Sequence, residues 1–383
     1  MSSGGTVFSA AGVWPLLAFL ADGAQGTARA ELARALGVPA DQAAAAAREL
    51  LAGLARVRAL DSALGLWTGR TLEPREEWRA GLPTDAHGVL TGDPALDRRE
   101  MDAWAAKRTG GLIERMPVEV RDDTELVLAS ALALRTTWLR PFRELRLIPE
   151  TGPWADRELL GLYRTSQLLD RVGVADTPDG HVTELKVLGD TAVDVHLLLG
   201  EEHMTAGQVL GAGIGLLARR WPVVSGFHLP YGEPGPGLHV FKRRSARPLP
   251  PTLTVGTPAF DIRAGHDLLE LHRLFGLTAA RDAREGHFPG ISPSPLAVGS
   301  ARQSTTATFG AKGFHAAAVT AVGALVAGVP DLRWITTGVQ AVFDRPFGFL
   351  AVHRHSRLAL MAGWVTDPEP YPDDDALLFS EEF

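Results

Sequence analysis

The residues that most invite a chemical interpretation are two histidines near the C-terminus, His353 and His355. On a β-strand, side chains two positions apart lie on the same face, so these imidazoles are spaced to grip a metal ion. A protein metal site needs three or four ligands, and no third ligand stands near them in the sequence. We therefore expect solvent-facing histidines, and the sequence predicts neither a metal nor a cofactor.

Other chemical motifs are missing from the chain. It has no cysteine, which excludes disulfides, thiolate metal sites and a cysteine nucleophile. It has no P-loop, Rossmann glycine fingerprint, zincin helix or nucleophile elbow. The formal net charge of -7 argues against nucleic acid as a partner, since such proteins are basic. The one basic cluster, FKRRSAR at 241–247, is expected to be a solvated loop.

A long apolar stretch, KGFHAAAVTAVGALVAGVPD, occupies residues 312–331. The eighteen residues between Lys312 and Asp331 carry no formal charge, which just reaches the length of a membrane span. Alanine and glycine contribute little to membrane insertion, however, and His315 and Thr320 oppose it. We therefore expect no membrane span in this chain.

A second apolar run begins the chain, at residues 6–26. A signal peptide needs a positive n-region, but the first basic residue is Arg29. The run is therefore predicted to be a buried strand and helix rather than a signal peptide. The compartment is left open, because a chain without cysteine suits either side of a membrane.

The secondary structure that positions these features is predicted to be mainly helical in the N-terminal part of the chain. Helices are predicted at 27–37, with Thr27 as cap and Gly37 as stop, and from Asp41 onward. A strand is predicted at 62–69. A further helix, within 95–116, ends at a glycine pair at 110–111.

Strand patterns dominate the rest of the chain. Residues 125–134, ELVLASALAL, alternate leucine with smaller residues, which predicts a strand buried on at least one side. Further strands are predicted at 191–200 and, as a hairpin, at 347–365. Helices before strands indicate an α+β fold. We expect one domain over 1–368, followed by an acidic tail at 369–383.

Four segments in this order resemble the serpins, the serine protease inhibitor family. The segment VFDRPFGFLAVHRHSRLALMAGWVTDP at 342–368 resembles the family's closing signature. Residues 126–142 are similar to its central strand, 101–116 to the preceding helix, and 6–37 to its first strand and helix. The resemblance implies a large mixed central sheet, two further sheets, about eight helices and a mobile reactive-centre loop. The family's usual N-terminal helix is expected to be missing.

The resemblance also implies a mechanism for the apolar stretch. A protease attacks the exposed loop, and the cut loop then inserts into the main sheet and traps the acyl-enzyme. By the family's usual spacing the bond to be cut is Ala327–Gly328. The small apolar residues around it suit an elastase- or subtilisin-like enzyme. The alternatives for the cut site are Leu325, Val326 and Arg333.

The hinge of this loop departs from the family pattern. The resemblance places it at Ala311, Gly313, Phe314, His315, Ala316, Ala317 and Ala318. Gly313 is the expected pivot, and the three alanines are small enough to be exposed first and buried later. Phe314 stands where the family has a small residue, and His315 where it has an acid. A phenylalanine favours entry if a pocket receives it and blocks entry if none does.

Two further sites follow from the resemblance. The first, the breach at the top of the main sheet, is placed at Trp138 and Ala259. Ala311 and Ala259 stand where the family has a glutamate–lysine pair, so both charges are missing together and neither is orphaned. The second, the shutter that holds the sheet closed, is placed at Ser9, Gly12, Ser130 and Gln303.

We therefore expect a suicide inhibitor whose partner is a serine protease. We expect a monomer with no nucleic-acid or membrane partner. One alternative is a non-inhibitory serpin-fold carrier, motivated by Phe314 and the altered shutter. Another is an enzyme that reuses the serpin body around a small-molecule pocket.

Overall fold

Helices occupy mainly the first third of the chain, as the sequence predicts. The computed structural model describes residues 5–314 and 333–372. Within these ranges the α-helices are α1 (Ala10–Asp22), α2 (Gly26–Leu36), α3 (Ala40–Leu54), α4 (Glu76–Ala80), α5 (Pro94–Arg108), α6 (Ala206–Leu217) and α7 (His272–Phe275). No helix in the described ranges combines the length and apolarity that crossing a bilayer requires.

Strands make up most of the remaining described residues. They are β1 (Thr6–Phe8), β2 (Leu60–Gly69), β3 (His87–Leu90), β4 (Leu126–Leu134), β5 (Thr136–Thr137), β6 (Arg143–Leu147), β7 (Leu159–Ser166), β8 (Val172–Thr177), β9 (Gly180–Leu188), β10 (Val193–Gly200), β11 (Val223–Ser225), β12 (Leu238–Ser245), β13 (Thr252–Pro258), β14 (Phe260–Asp267), β15 (Val298–Phe309), β16 (Gly313–Phe314), β17 (Trp334–Val342), β18 (Phe347–His353) and β19 (Ala359–Val365). The predicted α+β class is confirmed.

The contacts divide the chain into two compact units. Unit 1 comprises residues 1–7, 135–262 and 307–383, and unit 2 comprises residues 8–134 and 263–306. The expectation of a single domain over 1–368 stays a prediction. The same holds for the tail, whose residues 373–383 lie outside the described ranges.

Unit 1 is built on two sheets. The first has the strand order β1-β19-β18-β10-β9-β8-β11, and α6 packs against it. The second has the order β12-β17-β13-β7-β6. The basic cluster expected to be a loop lies largely in β12, an edge strand of this second sheet. A loop was wrong because residues 238–245 all pair with β17, although the side chains of Lys242, Arg243 and Arg244 are exposed as expected.

Unit 2 contains the mixed part of the third sheet. Here β3 pairs with β2 in parallel, β2 with β4 in antiparallel, and β4 with β15 in parallel. The alternation in β4 has a direct explanation. Leu126 and Leu128 pack into a core with α1, α2 and α3, whereas Val127 and Ala129 pack on the other face against Met101 of α5 and its neighbours. The strand is therefore buried on both faces.

Helix ends follow local signals only in part. Gly37 ends α2 in the left-handed conformation, with φ of 71°, as predicted. Thr27 is not its cap, because α2 begins one residue earlier and Gln25 holds the cap position without a side-chain bond. Ser9 caps α1, and its hydroxyl accepts a hydrogen bond from the Gly12 backbone N–H.

A buried ion pair stabilises the first sheet of unit 1. Glu184 on β9 accepts a hydrogen bond from His196 Nδ1 on β10 at 2.7 Å, and Lys186 Nζ lies 3.1 Å from its other oxygen. Burial alone would raise the pKa of Glu184, but its bonds and charges with His196 and Lys186 outweigh burial and lower it.

We predict that Glu184→Gln lowers the free energy of unfolding by about 3 kcal/mol above pH 5, because a buried pair is broken. A carboxylate whose folded pKa is depressed stabilises the fold above its unfolded pKa, near 4.3, and loses that contribution as the pH falls through the folded value. Urea unfolding of both proteins from pH 7 to pH 3 should show the gap shrinking below about pH 4. Glu233→Gln, on an exposed residue, serves as control. A gap that is constant with pH would contradict the assignment.

Candidate functional site

The four residues predicted as the shutter lie together in unit 2. Gln303 on β15 and Ser130 on β4 are directly opposite each other in the parallel pairing of these strands. Ser9 and Gly12, at the start of α1, lie against this pair. Ser9, Ser130 and Gln303 are each no more than 1% exposed. The structure therefore brings the four residues together, while their role in gating stays a prediction.

The Gln303 side chain ties α1 to the sheet. Its Oε1 accepts from the Ser9 backbone N–H at 2.9 Å, and its Nε2 donates to the Ser9 carbonyl oxygen at 2.8 Å. A backbone amide next to a helix start has no partner within the helix, so a buried acceptor from outside is needed. One side-chain amide therefore bonds both backbone groups of Ser9, and its oxygen is the acceptor that the Ser9 N–H requires.

Gly12 is required by close approach. A Cβ added there would lie 2.6 Å from Ser130 Oγ and 3.1 Å from Gln303 Nε2. A side chain at this position would therefore push α1 away from the pair of strands. The resemblance placed Gly12 at the shutter, but it could not show that close packing there requires a glycine.

The seam between β4 and β15 contains polar groups that the sequence did not single out. Three buried hydroxyls along it have no hydrogen-bond partner among the described residues: Ser130 Oγ, Ser300 Oγ and Thr305 Oγ1. Leaving a buried hydroxyl unpaired costs about 1–3 kcal/mol. Ser300 and Thr305 stand opposite Val127 and Leu132 of β4. The sequence feature that could have indicated Ser300 and Thr305 is the segment SARQSTT of β15, which is rich in small hydroxyl residues.

The hinge begins in unit 1, where β15 ends. The carbonyl oxygens of three consecutive residues, 310–312, are all held. Trp138 Nε1 donates to Gly310 at 2.9 Å, the Phe142 N–H to Ala311 at 2.8 Å, and the Trp138 N–H to Lys312 at 2.9 Å. Trp138, predicted at the breach, therefore fixes the turn that follows β15 through two of these bonds.

Gly313 and Phe314 form the short strand β16. It pairs in antiparallel with Phe309 of β15 and with β5. A Cβ on Gly313 would lie 2.4 Å from the Thr136 carbonyl oxygen, so only glycine fits between these backbones. This close contact explains why residue 313 has no side chain, while its role as a pivot stays a prediction.

Phe314 is buried, with 1% of its surface exposed. Its ring lies 6.2 Å from that of Phe349, which in turn lies 5.0 Å from Phe260. Phe260 stacks on Phe309 at 5.3 Å, and Trp138 contacts the same Phe309 ring at 4.9 Å. Phe314 is therefore buried at the end of a chain of aromatic rings, while its effect on loop entry stays a prediction.

The remaining predicted residues are placed as follows. Ala311 and Ala259 are both buried, and Ala259 donates its N–H to the Leu160 carbonyl at 2.8 Å. Arg333 is exposed and immediately precedes β17. The other hinge and cut-site residues lie outside the described ranges: His315, Ala316, Ala317, Ala318, Leu325, Val326, Ala327 and Gly328.

The two histidines that suggested a metal do not share a strand face. His353 ends β18 and its Nδ1 bonds Ser356 Oγ at 2.8 Å, whereas His355 lies in the following turn. In residues 5–314 and 333–372, no three side chains of the metal-binding types cluster to hold an ion.

Comparison with known proteins places this architecture in a family. The family model described as Serpin (serine protease inhibitor) matches residues 2–150 and 241–368, which is more than half of the chain. This chain belongs to the serpin family. The matched residues include all four residues of the shutter as well as Trp138, Ala259, Ala311, Gly313 and Phe314.

Individual serpins match along nearly the whole chain. The rice (Oryza sativa subsp. japonica) protein named "Putative serpin-Z6A" is 29% identical over 396 residues, covering 94% of this chain and 93% of its own. The solved human thyroxine-binding globulin complexed with thyroxine is 16% identical, with a TM-score of 0.72, over 96% of this chain and 93% of that one. The mouse protein-Z dependent protease inhibitor is 15% identical, with a TM-score of 0.71, over 95% and 91%.

These matches establish the fold and the family of this protein. The predicted serpin fold is confirmed, with three sheets and seven α-helices among the described residues where about eight were expected. The family is described by serine protease inhibition. It also includes proteins named for other ligands, such as the globulin bound to thyroxine.

We predict that Gln303→Ala lowers the free energy of unfolding by about 2–4 kcal/mol, since two buried hydrogen bonds are lost and the Ser9 N–H is left unpaired. Urea unfolding at neutral pH measures the change. Ser304→Ala, the next residue of β15, is the matched control, and we expect it to change stability by less than about 0.5 kcal/mol. Equal effects of the two substitutions would contradict the role given to Gln303.

Proposed function

We propose that this serpin is a suicide inhibitor of a serine protease that cleaves after a small apolar residue. The catalytic serine of the protease attacks the Ala327 carbonyl, the peptide bond to Gly328 breaks, and an ester joins Ala327 to the protease. The freed loop then inserts between β4 and β15 before water hydrolyses the ester. The observation that carries the proposal is the partly unsatisfied seam between these strands.

The direction of the strands supports insertion. β4 and β15 are parallel, and β16 runs antiparallel to β15 after a tight turn at 310–312. A chain that continues in the direction of β16 runs antiparallel to both strands of the seam. One parallel ladder would then be replaced by two antiparallel ladders, which are slightly more stable per residue.

The energetics favour the same outcome. A new strand adds roughly a dozen hydrogen bonds at about 1 kcal/mol each, or on the order of 10 kcal/mol. The unpaired hydroxyls of Ser130, Ser300 and Thr305 belong to the two strands between which the new strand would enter, so its side chains would become their neighbours. The free energy released is comparable to the stability of a whole domain, which is enough to distort a bound protease.

The loop composition suits burial as well as exposure. Side chains alternate along a strand, and the buried Phe314 fixes which set points inward. The inward set would be Ala316, Ala318, Thr320, Val322, Ala324 and Val326. None of these residues carries a charge, so nothing in the inward set opposes insertion.

We predict an SDS-stable one-to-one complex when the protein is incubated with elastase or subtilisin, because the ester persists in the trapped complex. Gel electrophoresis after denaturation measures the complex. In Ala327→Arg the preference should move to trypsin, whose pocket takes a basic residue. A cleaved chain that runs free with every protease would show that deacylation outruns insertion and would overturn the proposal.

We predict that Ala318→Arg, an inward position, turns the inhibitor into a substrate, since a buried unpaired charge opposes insertion. Ala317→Arg, the outward neighbour, has the same charge change and should retain complex formation. The fraction of protein found in the SDS-stable complex compares the two. Equal loss in both variants would contradict the alternation that starts at Phe314.

A second candidate function is a non-inhibitory carrier. The observation that favours it is Phe314, which is already buried beside Phe349 and so holds the start of the loop in place. Release of cleaved product without a complex would favour this candidate. The third alternative, an enzyme on the same scaffold, has no observation among the described residues in its favour.

A further inference from the structure

Four cationic side chains surround one small cavity in unit 1. This cavity takes no part in the inhibition proposed above. They are Arg140, Arg164, Arg171 and Lys186. The cavity has a volume of about 140 Å³. The rest of its wall is made by Leu139, Ser166, Leu168 and Leu188.

The cavity is held in shape by backbone and ring contacts. The Leu139 N–H donates to the Leu188 carbonyl at 3.0 Å, which joins two of its walls. Arg164, on β7, donates from Nη1 to the Arg140 carbonyl at 2.6 Å. The Arg164 guanidinium also lies 4.2 Å from the ring centre of the buried Phe142. Its position is therefore fixed without an acidic partner.

The cations outnumber their acidic partners. Arg171 lies 3.3 Å from Asp170, and Lys186 lies 3.1 Å from Glu184, which is shared with His196. No carboxylate among the described residues forms an ion pair with Arg140 or Arg164. Two positive charges at this cavity are therefore uncompensated.

Two further observations favour a negatively charged partner at this cavity. The Nε of Arg171 is buried and has no hydrogen-bond partner among the described residues. Buried donors in proteins are nearly always paired with protein or with an ordered molecule such as water. In addition, burial and then the charges of Arg140 and Arg171 lower the pKa of Arg164 to about 10. An anion would relieve this repulsion.

We propose that this cavity binds a small oxyanion, which the guanidinium groups of Arg164 and Arg171 hold and the exposed Arg140 closes off. Guanidinium groups match the oxygen spacing of carboxylate, phosphate and sulfate. The volume admits a single phosphate or sulfate, or a carboxylate with a short alkyl chain against the three leucines. It is smaller than the sites that hold drug-sized ligands.

Calorimetric titration of the full chain with sodium phosphate, sodium sulfate and sodium butyrate tests the proposal. The ionic strength is kept constant with sodium chloride, so that general screening is the same in every titration. We expect saturable binding of at least one of these anions. Phosphate or sulfate alone would identify an oxyanion site without an alkyl subsite, and tighter binding of butyrate would identify the leucines as part of it.

Three variants that each remove one positive charge distinguish anion binding at this cavity from the general electrostatic attraction of the protein for anions. Arg164→Gln should weaken binding about tenfold, because a charge-assisted bond is lost. Arg140→Gln should weaken it severalfold, and it serves alone if Arg164→Gln does not fold. Arg115→Gln, on an exposed residue of unit 2, should leave binding unchanged. Binding of none of the three anions, or equal weakening by Arg115→Gln, would overturn the proposal.

Discussion

The parallel pairing of β4 with β15 is the interaction on which the rest of this molecule depends. It closes the sheet in unit 2, and Gln303 fastens α1 to it through both hydrogen-bonding groups of the Ser9 backbone. The same seam buries hydroxyls that have no partner among the described residues. The close packing of this seam stabilises the closed sheet. Its unpaired buried hydroxyls lower the free-energy cost of separating the two strands.

The start of the loop is held by a different kind of interaction. Carbonyl groups after β15 are bound by Trp138 and Phe142, and Phe314 is buried beside the ring of Phe349. A bulky residue at the entry point is therefore compatible with strand formation in this chain, since its pocket is built from residues of the same unit. The aromatic residues near position 314 therefore explain how this hinge accommodates a phenylalanine.

The sequence predicted the fold well wherever one local pattern decided the outcome. The alternation of leucine and alanine in β4 and the glycine after α2 belong to this class. The resemblance placed the shutter residues, but their bonds depend on contacts between segments about 290 residues apart, such as Ser9 and Gln303. The basic cluster in β12 was assigned to a loop because charge pattern carries no information about strand pairing. The cationic cavity was missed because its walls come from four separate places in the chain, at 139–140, 164–168, 171 and 186–188.

The central claim is that cleavage of the loop allows it to insert into the seam. Thermal unfolding of the intact protein and of the protein cut within residues 325–328 tests this most directly. If the added strand contributes on the order of 10 kcal/mol, the melting temperature of a chain of this length should rise by about 10 °C or more after cleavage. A cleaved protein that melts at the same temperature as the intact one, or below it, would contradict the account.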